Sequence, residues 1–301
     1  MEGIKEFLKE NRGYLKWGSK KLAFRLNTTK DDIINIKKEI REEDSLVAAG
    51  KKNFKRVFFD IETSPNVMYS WRAGYKLNLP PQNIIQERRI ICICWKYEHD
   101  EKVHYLTWDD KQCDKTMLEV FIDVVIDADE IIGHNGDRFD IPWVRTRAII
   151  HGLAFPAYVK SLDTLKKARR GGFNFNSNKL DYLAEILLGE NKMETGGFSL
   201  WTNIMEDNCK ESMDKMVKYC SKDVELLERV YHKLDSYIKP NTHVGMISNG
   251  DKETCPGCGS DDFNYVKKMS TAAGTLQHLL QCKDCSKYYK ISNTSYKKIA
   301  K

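Results

Sequence analysis

Residues 57–64 read VFFDIETS, a strand-like apolar run into which two acids, Asp60 and Glu62, are set. Successive side chains of a strand alternate faces, so Phe58, Asp60 and Glu62 share one side while Val57, Phe59 and Ile61 take the other. Two carboxylates side by side on a largely apolar strand repel each other, and each is costly to desolvate. A chain that keeps them there must open that part of the strand to solvent or bring a cation to it.

From this run onward the periodicity predicts strands at 57–62, 89–97, 102–108 and 129–135, and an amphipathic helix over 116–127 with Leu118, Phe121, Ile122 and Val125 on one stripe. A second helix over 179–189 ends at Gly189, and a long one over 211–238 precedes Pro240. Strands first, then strands and helices interleaved, predict an α/β domain over 57–240. Residues 1–47 read as a small all-α unit, 48–56 as a linker, and 241–301 as a loop-rich tail with four cysteines. The two ends are basic: residues 1–56 carry 15 Lys/Arg against 9 Asp/Glu, and 240–301 carry 9 against 5. The middle, 57–239, is acidic, with 25 against 29. Basic ends suit a polyanion such as nucleic acid, although charge alone points first to merely soluble, lysine-rich termini. No apolar run reaches membrane-spanning length, so no membrane partner is expected. The charged N-terminus does not read as a secretory signal, which predicts a cytoplasmic, reducing setting for the nine cysteines.

Two further acid sites fit the first pair. One is Asp140 in GHNGDRFDIPW, just past a predicted strand; the other is Asp223, one helical turn after Tyr219 in YCSKD. If these elements meet, Asp60, Glu62, Asp140 and Asp223 form a cluster of hard oxygen ligands, which suits Mg²⁺ or Mn²⁺ rather than zinc. The order D-x-E, N-x-x-x-F-D and Y-x-x-x-D resembles the DEDD 3′–5′ exonucleases of the ribonuclease H-like fold, in the tyrosine (DEDDy) version also found in family B DNA polymerases. ETSPNVMYSW, SLDTLKKARR, NSNKLDYLAEILLGENK and TGGFSLW resemble that family too, and the whole is similar to phage and bacterial ribonuclease H-like proteins. The resemblance spans about 57–290. It implies a mixed sheet flanked by helices and a two-ion hydrolysis releasing nucleoside 5′-monophosphates from a 3′ end. It implies Asp60 bridging both ions, Glu62 and Asp223 completing the water-activating site, and Asp140 at the second ion. Tyr219 would orient the water, and Asn135 would bind the strand. Of the remaining polar residues, His134 reads as structural, Asp163 as a turn or cap, and Cys92 and Cys94 as small residues facing a packed layer. Phe173 and Phe175, among the cations of KKARRGGFNFNSNK, suit a strand grip or a solvated linker.

In the tail, Cys255, Cys258, Cys282 and Cys285 form C-x2-C, 23 residues, C-x2-C. This is the spacing of a closed tetrahedral Zn²⁺ site, whose binding would supply the folding energy of so short a segment. The second half resembles zinc ribbons of DNA-associated proteins, with Lys283, Lys287 and Tyr288 as candidate nucleic-acid contacts; a structural or protein-docking ribbon is the alternative. At the other end, residues 17–43 have the proportions of a helix-turn-helix. There Thr29, Lys30, Lys37, Lys38 and Arg41 could meet phosphates or base edges. The expectation is therefore a metal-dependent exonuclease between two nucleic-acid-binding modules, acting on DNA in preference to RNA, with a polymerase or replication protein as a possible partner in trans. An endonuclease or ribonuclease on the same fold, or a replication accessory with an inactive centre, are the rival readings.

Overall fold

A computed structural model describes residues 2–10, 18–49, 54–74, 76–98, 100–190, 193, 196–249 and 251–300. Three helices lead the chain: α1 (Glu2–Glu10), α2 (Ser19–Arg25) and α3 (Lys30–Ala49). Leu8, Leu22, Ile33, Ile36 and Ile40 give them a core of their own. The turn before α3 is a reciprocal cap. The Thr29 hydroxyl accepts from the Asp32 N–H at 3.1 Å, and the Asp32 carboxylate accepts from the Thr29 N–H at 3.3 Å. The helix then runs to Ala49, well past the predicted helix-turn-helix segment and into the predicted linker.

The next strands are β1 (Arg56–Thr63), β2 (Val67–Met68), β3 (Ile84–Gln86), β4 (Ile90–Tyr97) and β5 (His104–Thr107). α4 (Lys115–Asp127), β6 (Glu130–Gly133), α5 (Asp140–Ile150), β7 (Ser161–Asp163) and α6 (Thr164–Arg170) follow. The domain closes with α7 (Leu180–Leu188), α8 (Ser199–Glu206) and α9 (Lys210–Asp235). β1 is the centre of a five-stranded mixed sheet, order β5-β4-β1-β6-β7. β4 and β5 run antiparallel on one side of it, and β6 and β7 parallel on the other.

The period-2 pattern of β1 sorts its residues between two layers. Val57, Phe59 and Ile61 pack with α4 and α5 residues such as Phe121 and Val144. Phe58 points the other way and packs with the apolar face of α9: Met216, Cys220, Val224, Leu227 and Tyr231. Asp60 and Glu62 share the Phe58 side, so α9 is the element laid over them. Gly189 ends α7 in the left-handed region at φ +71, where a glycine carries no Cβ strain. Among the described residues no helix is long and apolar enough to cross a membrane.

The C-terminal unit holds α10 (Val244–Asn249), a sheet of β8 (Phe263–Ser270), β9 (Leu276–Cys282) and β10 (Tyr288–Ser292) in order β10-β9-β8, and α11 (Asn293–Ile299). The sulfurs of Cys255, Cys258, Cys282 and Cys285 all lie within 4.8 Å of one another. The closest pairs, at 3.5 and 3.6 Å, are far beyond a disulfide's ~2.05 Å and suit four thiolates around one ion. The unit is tied to the sheet's far end by polar contacts. Arg56, paired with Glu130 at 3.0 Å, also donates to the Gly257 carbonyl at 3.4 Å, and the Thr242 hydroxyl donates to Glu130 at 3.1 Å. Lys287, 2% exposed, reaches out of the ribbon to pair with Asp235 at 2.8 Å and to donate to the Ile238 carbonyl at 3.3 Å. The expectation that Lys287 contacts nucleic acid is therefore corrected: its ammonium is a buried tether.

We expect one zinc per chain by elemental analysis, lost in Cys282→Ser. Limited proteolysis of that variant should open residues 241–301 while leaving 57–239 protected, because the ribbon's small apolar cluster cannot hold it without the ion. Equal protease resistance with and without zinc would contradict this.

Candidate active site

β6 pairs with β1 only from Arg56 to Phe58, so the second half of β1 continues past its parallel neighbour with β4 alone beside it. This leaves the Ile61 N–H facing away from β4, and it donates to the Asp140 carboxylate at 3.2 Å. On the α9 side of the same stretch, the carboxylate oxygens of Asp60, Glu62 and Asp223 lie within 4.8 Å of one another. Asp223 is buried, while Asp60 and Glu62 are half-buried, so the group opens on one side. Tyr219, one turn earlier on α9, is half-buried beside it. The structure thus brings three of the four expected carboxylates into one group. It holds the fourth, Asp140, against the β1 backbone between Asp60 and Glu62.

A set of oxygen donors with no sulfur or imidazole among them is the chemistry of a Mg²⁺ or Mn²⁺ site. Directly beneath, the Cys220 thiol lies 3.5 Å from the Asp60 carbonyl and 3.6 Å from its carboxylate. Cys92 and Cys94 of β4 are buried next to it, in the packed layer their alternation with isoleucines predicts. Cys220 was not legible as part of the floor, because nothing in the sequence pairs α9 with β4. The end of β1 is closed by Trp201 of TGGFSLW, whose indole N–H donates to the Thr63 carbonyl at 3.1 Å.

Asp140 is set by the loop before it. Gly133 and Gly136 approach so closely that a Cβ on Gly133 would meet the Gly136 Cα at 3.0 Å. Asn135, in the left-handed region at φ +74, turns the chain, a conformation asparagine adopts more readily than most residues. Asp163 braces this turn: one carboxylate oxygen accepts from the Asn135 N–H at 3.0 Å and from the Leu165 and Lys166 N–H groups at the start of α6. The cap reading of Asp163 is met, and the cross-loop brace is added to it. His134 bridges Thr164 and the Asn178 carbonyl, a structural role as expected. Pro142 falls in the first turn of α5, where a missing N–H is tolerated. Burial pushes the Asp140 carboxyl up to about 7, the charge of Asp163 adding to it and backbone N–H groups opposing it.

The other expected contacts divide. Lys30 and Lys38 are exposed on α3 and Lys37 is half-buried, whereas the Arg41 side chain lies outside the described residues. The Thr29 hydroxyl is engaged in the helix cap. In the ribbon, Tyr288 is exposed and Lys283 pairs with Asp262 at 2.7 Å. Phe173 and Phe175 stack on each other and pack against the main core rather than standing among the cations.

The Asp140 carboxyl gives a pH signature for the protein without Mg²⁺ or Mn²⁺. The unfolded chain releases this proton near 3.8 and the folded protein holds it to about 7, so wild type loses stability as pH rises through that window. Asp140→Asn, which keeps an acceptor for the Ile61 N–H, should gain stability relative to wild type from about pH 4 to 7 and level off above. Thermal midpoints across this range check it; a difference independent of pH would contradict it.

A family model of the RNase_H superfamily matches residues 86–235, a span that includes Asp140, Tyr219 and Asp223 and starts after β1. No curated protein matches the chain. Among solved structures, the chain is similar to the family B DNA polymerase from the hyperthermophilic archaeon Pyrobaculum calidifontis, at 17% identity with a TM-score of 0.46. That similarity covers 60% of this chain and 24% of the polymerase, so the chain spans about a quarter of its length. With a matching family model over 86–235 and a mixed five-stranded sheet flanked by helices, the central domain belongs to the ribonuclease H superfamily.

Proposed function

We propose that the protein is a divalent-cation-dependent 3′–5′ exonuclease that removes nucleoside 5′-monophosphates from nucleic acid, DNA in preference to RNA. The observation that carries this is the convergence of Asp60, Glu62 and Asp223 within 4.8 Å on one open face, with Asp140 braced behind it. When bound, Mg²⁺ or Mn²⁺ would lower the pKa of an attacking water and neutralise charge on the scissile phosphate and the leaving oxygen.

The chain's own groups then have distinct tasks. Asp60, supported from below by Cys220, would hold the cations together with its neighbours in the group. Glu62 and Asp223 flank it from β1 and α9, and Asp140 offers a further oxygen from the α5 N-terminus. Tyr219, half-buried one turn before Asp223, would donate a hydrogen bond that orients water rather than deprotonate it, since phenols in general keep their proton near neutral pH. Asn135, at its left-handed turn before Asp140, would meet the strand. The basic N-terminal helices and the ribbon would add affinity for a phosphate backbone, and their likeness to helix-turn-helix and zinc-ribbon modules is the ground for favouring DNA.

Digestion of 3′- and 5′-labelled strands with Mn²⁺ tests this. Wild type should release mononucleotides from the 3′ end and stall on a 3′-blocked strand. Asp60→Ala should lose roughly a hundred- to a thousandfold in rate, the scale of removing one group that stabilises developing charge. Tyr219→Phe, which removes one hydrogen bond, should lose about tenfold. Cleavage inside a 3′-blocked strand would replace the exonuclease reading with an endonuclease. Full activity in Asp60→Ala would remove the centre from the reaction.

A further inference from the structure

Beside β7, the outermost strand on the parallel side of the sheet, α6 and residues 237–241 enclose a cavity of about 550 Å³. Its wall carries Lys166, Lys167, Arg170, Tyr237, Lys239 and Asn241. The charge here is only partly cancelled, with Glu130 and Asp235 acting on Lys167 from behind the wall. Lys166 is paired with Asp137 at 2.6 Å, but the Lys167 ammonium donates only to neutral acceptors, the Lys239 carbonyl at 3.1 Å and the Asn241 side chain at 2.8 Å. Arg170 and Lys239 are exposed and, among the described residues, have no acidic ion-pair partner. Asp163, also at the wall, is turned to backbone N–H groups. Burial holds the Lys167 pKa below that of an ordinary lysine, the sign of an ammonium short of solvent.

The cavity also presents a ring. Tyr237 is 75% exposed and is braced edge-on by Phe173, with ring centroids 6.2 Å apart. The aromatic pair that sequence places among the cations thus acts as a support, and Tyr237 displays the open face. Asp137, at its wall, belongs to the loop that ends at Asp140.

We propose that this cavity docks the phosphodiester backbone of a single-stranded nucleic acid outside the carboxylate centre, with Lys167, Arg170 and Lys239 at the phosphates and Tyr237 against a base. The proposal deepens the nuclease reading and rests on it for the identity of the ligand. Cations interleaved with an exposed aromatic ring are the combination that holds single strands without reading their sequence. A strand bound there would be held while its end is processed at the carboxylates.

The test is equilibrium binding of a fluorescent oligothymidylate to the full-length, zinc-loaded protein with no Mg²⁺ or Mn²⁺ added. The pocket variant is Arg170→Gln/Lys239→Gln, and the control is Lys111→Gln/Lys115→Gln, two exposed lysines outside the cavity with the same charge change. The pocket variant should bind about tenfold more weakly, with a salt slope lower by about 1.4, or 0.7 for each lost phosphate contact on a single strand. The control should change neither by more than about twofold. Inorganic phosphate at matched ionic strength should displace the strand from wild type only weakly, since it offers neither a base for Tyr237 nor a second phosphate.

Equal losses in both variants, no loss in either, or ready displacement by inorganic phosphate would each overturn the proposal. Near-ultraviolet circular dichroism confirms that the variants are folded. The nuclease reading fails by a different result, wild type with Mn²⁺ leaving the same strand intact, and binding reads the cavity in either case.

Discussion

Three carboxylates within 4.8 Å of one another, where a strand and a helix pack, are a concentration of like charge that the fold has to withstand. At an effective dielectric of about 20, each pair at that distance repels by about 3 kcal/mol, so the group as a whole works against a stability of about 5–15 kcal/mol. The charges cannot be what holds β1 and α9 together. That is done by apolar packing: Phe58 from β1, Cys92 and Cys94 from β4, and the face of α9 from Met216 to Tyr231, all nearly inaccessible to solvent. The hydrophobic layer imposes the arrangement, and the arrangement creates the demand for cations. Asp140 extends that demand, since its buried carboxyl releases its proton only with difficulty unless positive charge is brought to it.

The opposite end of β1 uses charge in the other way. Arg56, buried, is met by Glu98 and Glu130, each at 3.0 Å, and its guanidinium lies over the Tyr231 ring at 5.5 Å. Breaking such a network by removing one partner is far more damaging than its net contribution suggests. The ribbon attaches here, through Gly257, Thr242 and Lys287. One strand therefore carries a negative centre at its C-terminal end and the anchor of the cysteine cluster at its N-terminal end. Asp235 ties the C-terminal end of α9, the helix that bears Asp223, to the ribbon through Lys287.

Much of this was legible in the sequence where the pattern is long. β1, α4 and α9 carry period-2 or helical stripes whose apolar faces are buried, and β4 is a continuous apolar run buried on both faces. The four tail cysteines were legible by their spacing, whereas Thr29 read as a nucleic-acid contact rather than as the cap it forms with Asp32. What escaped was short or long-range. β7 is three residues, too few to show a period, and α5 opens with a proline in its first turn. Asp163 read as a local cap because its second task, accepting the Asn135 N–H, depends on a neighbour 28 residues away. Lys287 read as a surface lysine among other lysines, and only the docking of the ribbon reveals it as buried. The aromatic residues of the 166–179 loop failed for a related reason: hydrophobic burial outcompeted display, and the exposed ring came from Tyr237.

The carboxylates of β1, α5 and α9 together suit one site for hard divalent cations. Calorimetric titration of the zinc-loaded protein with Mn²⁺ tests it most directly, with Asp223→Asn as the comparison. Binding of two Mn²⁺ per chain in wild type, with at least one lost in the variant, is the predicted result. Wild type that takes up no Mn²⁺, or a variant that binds it as wild type does, would contradict the account.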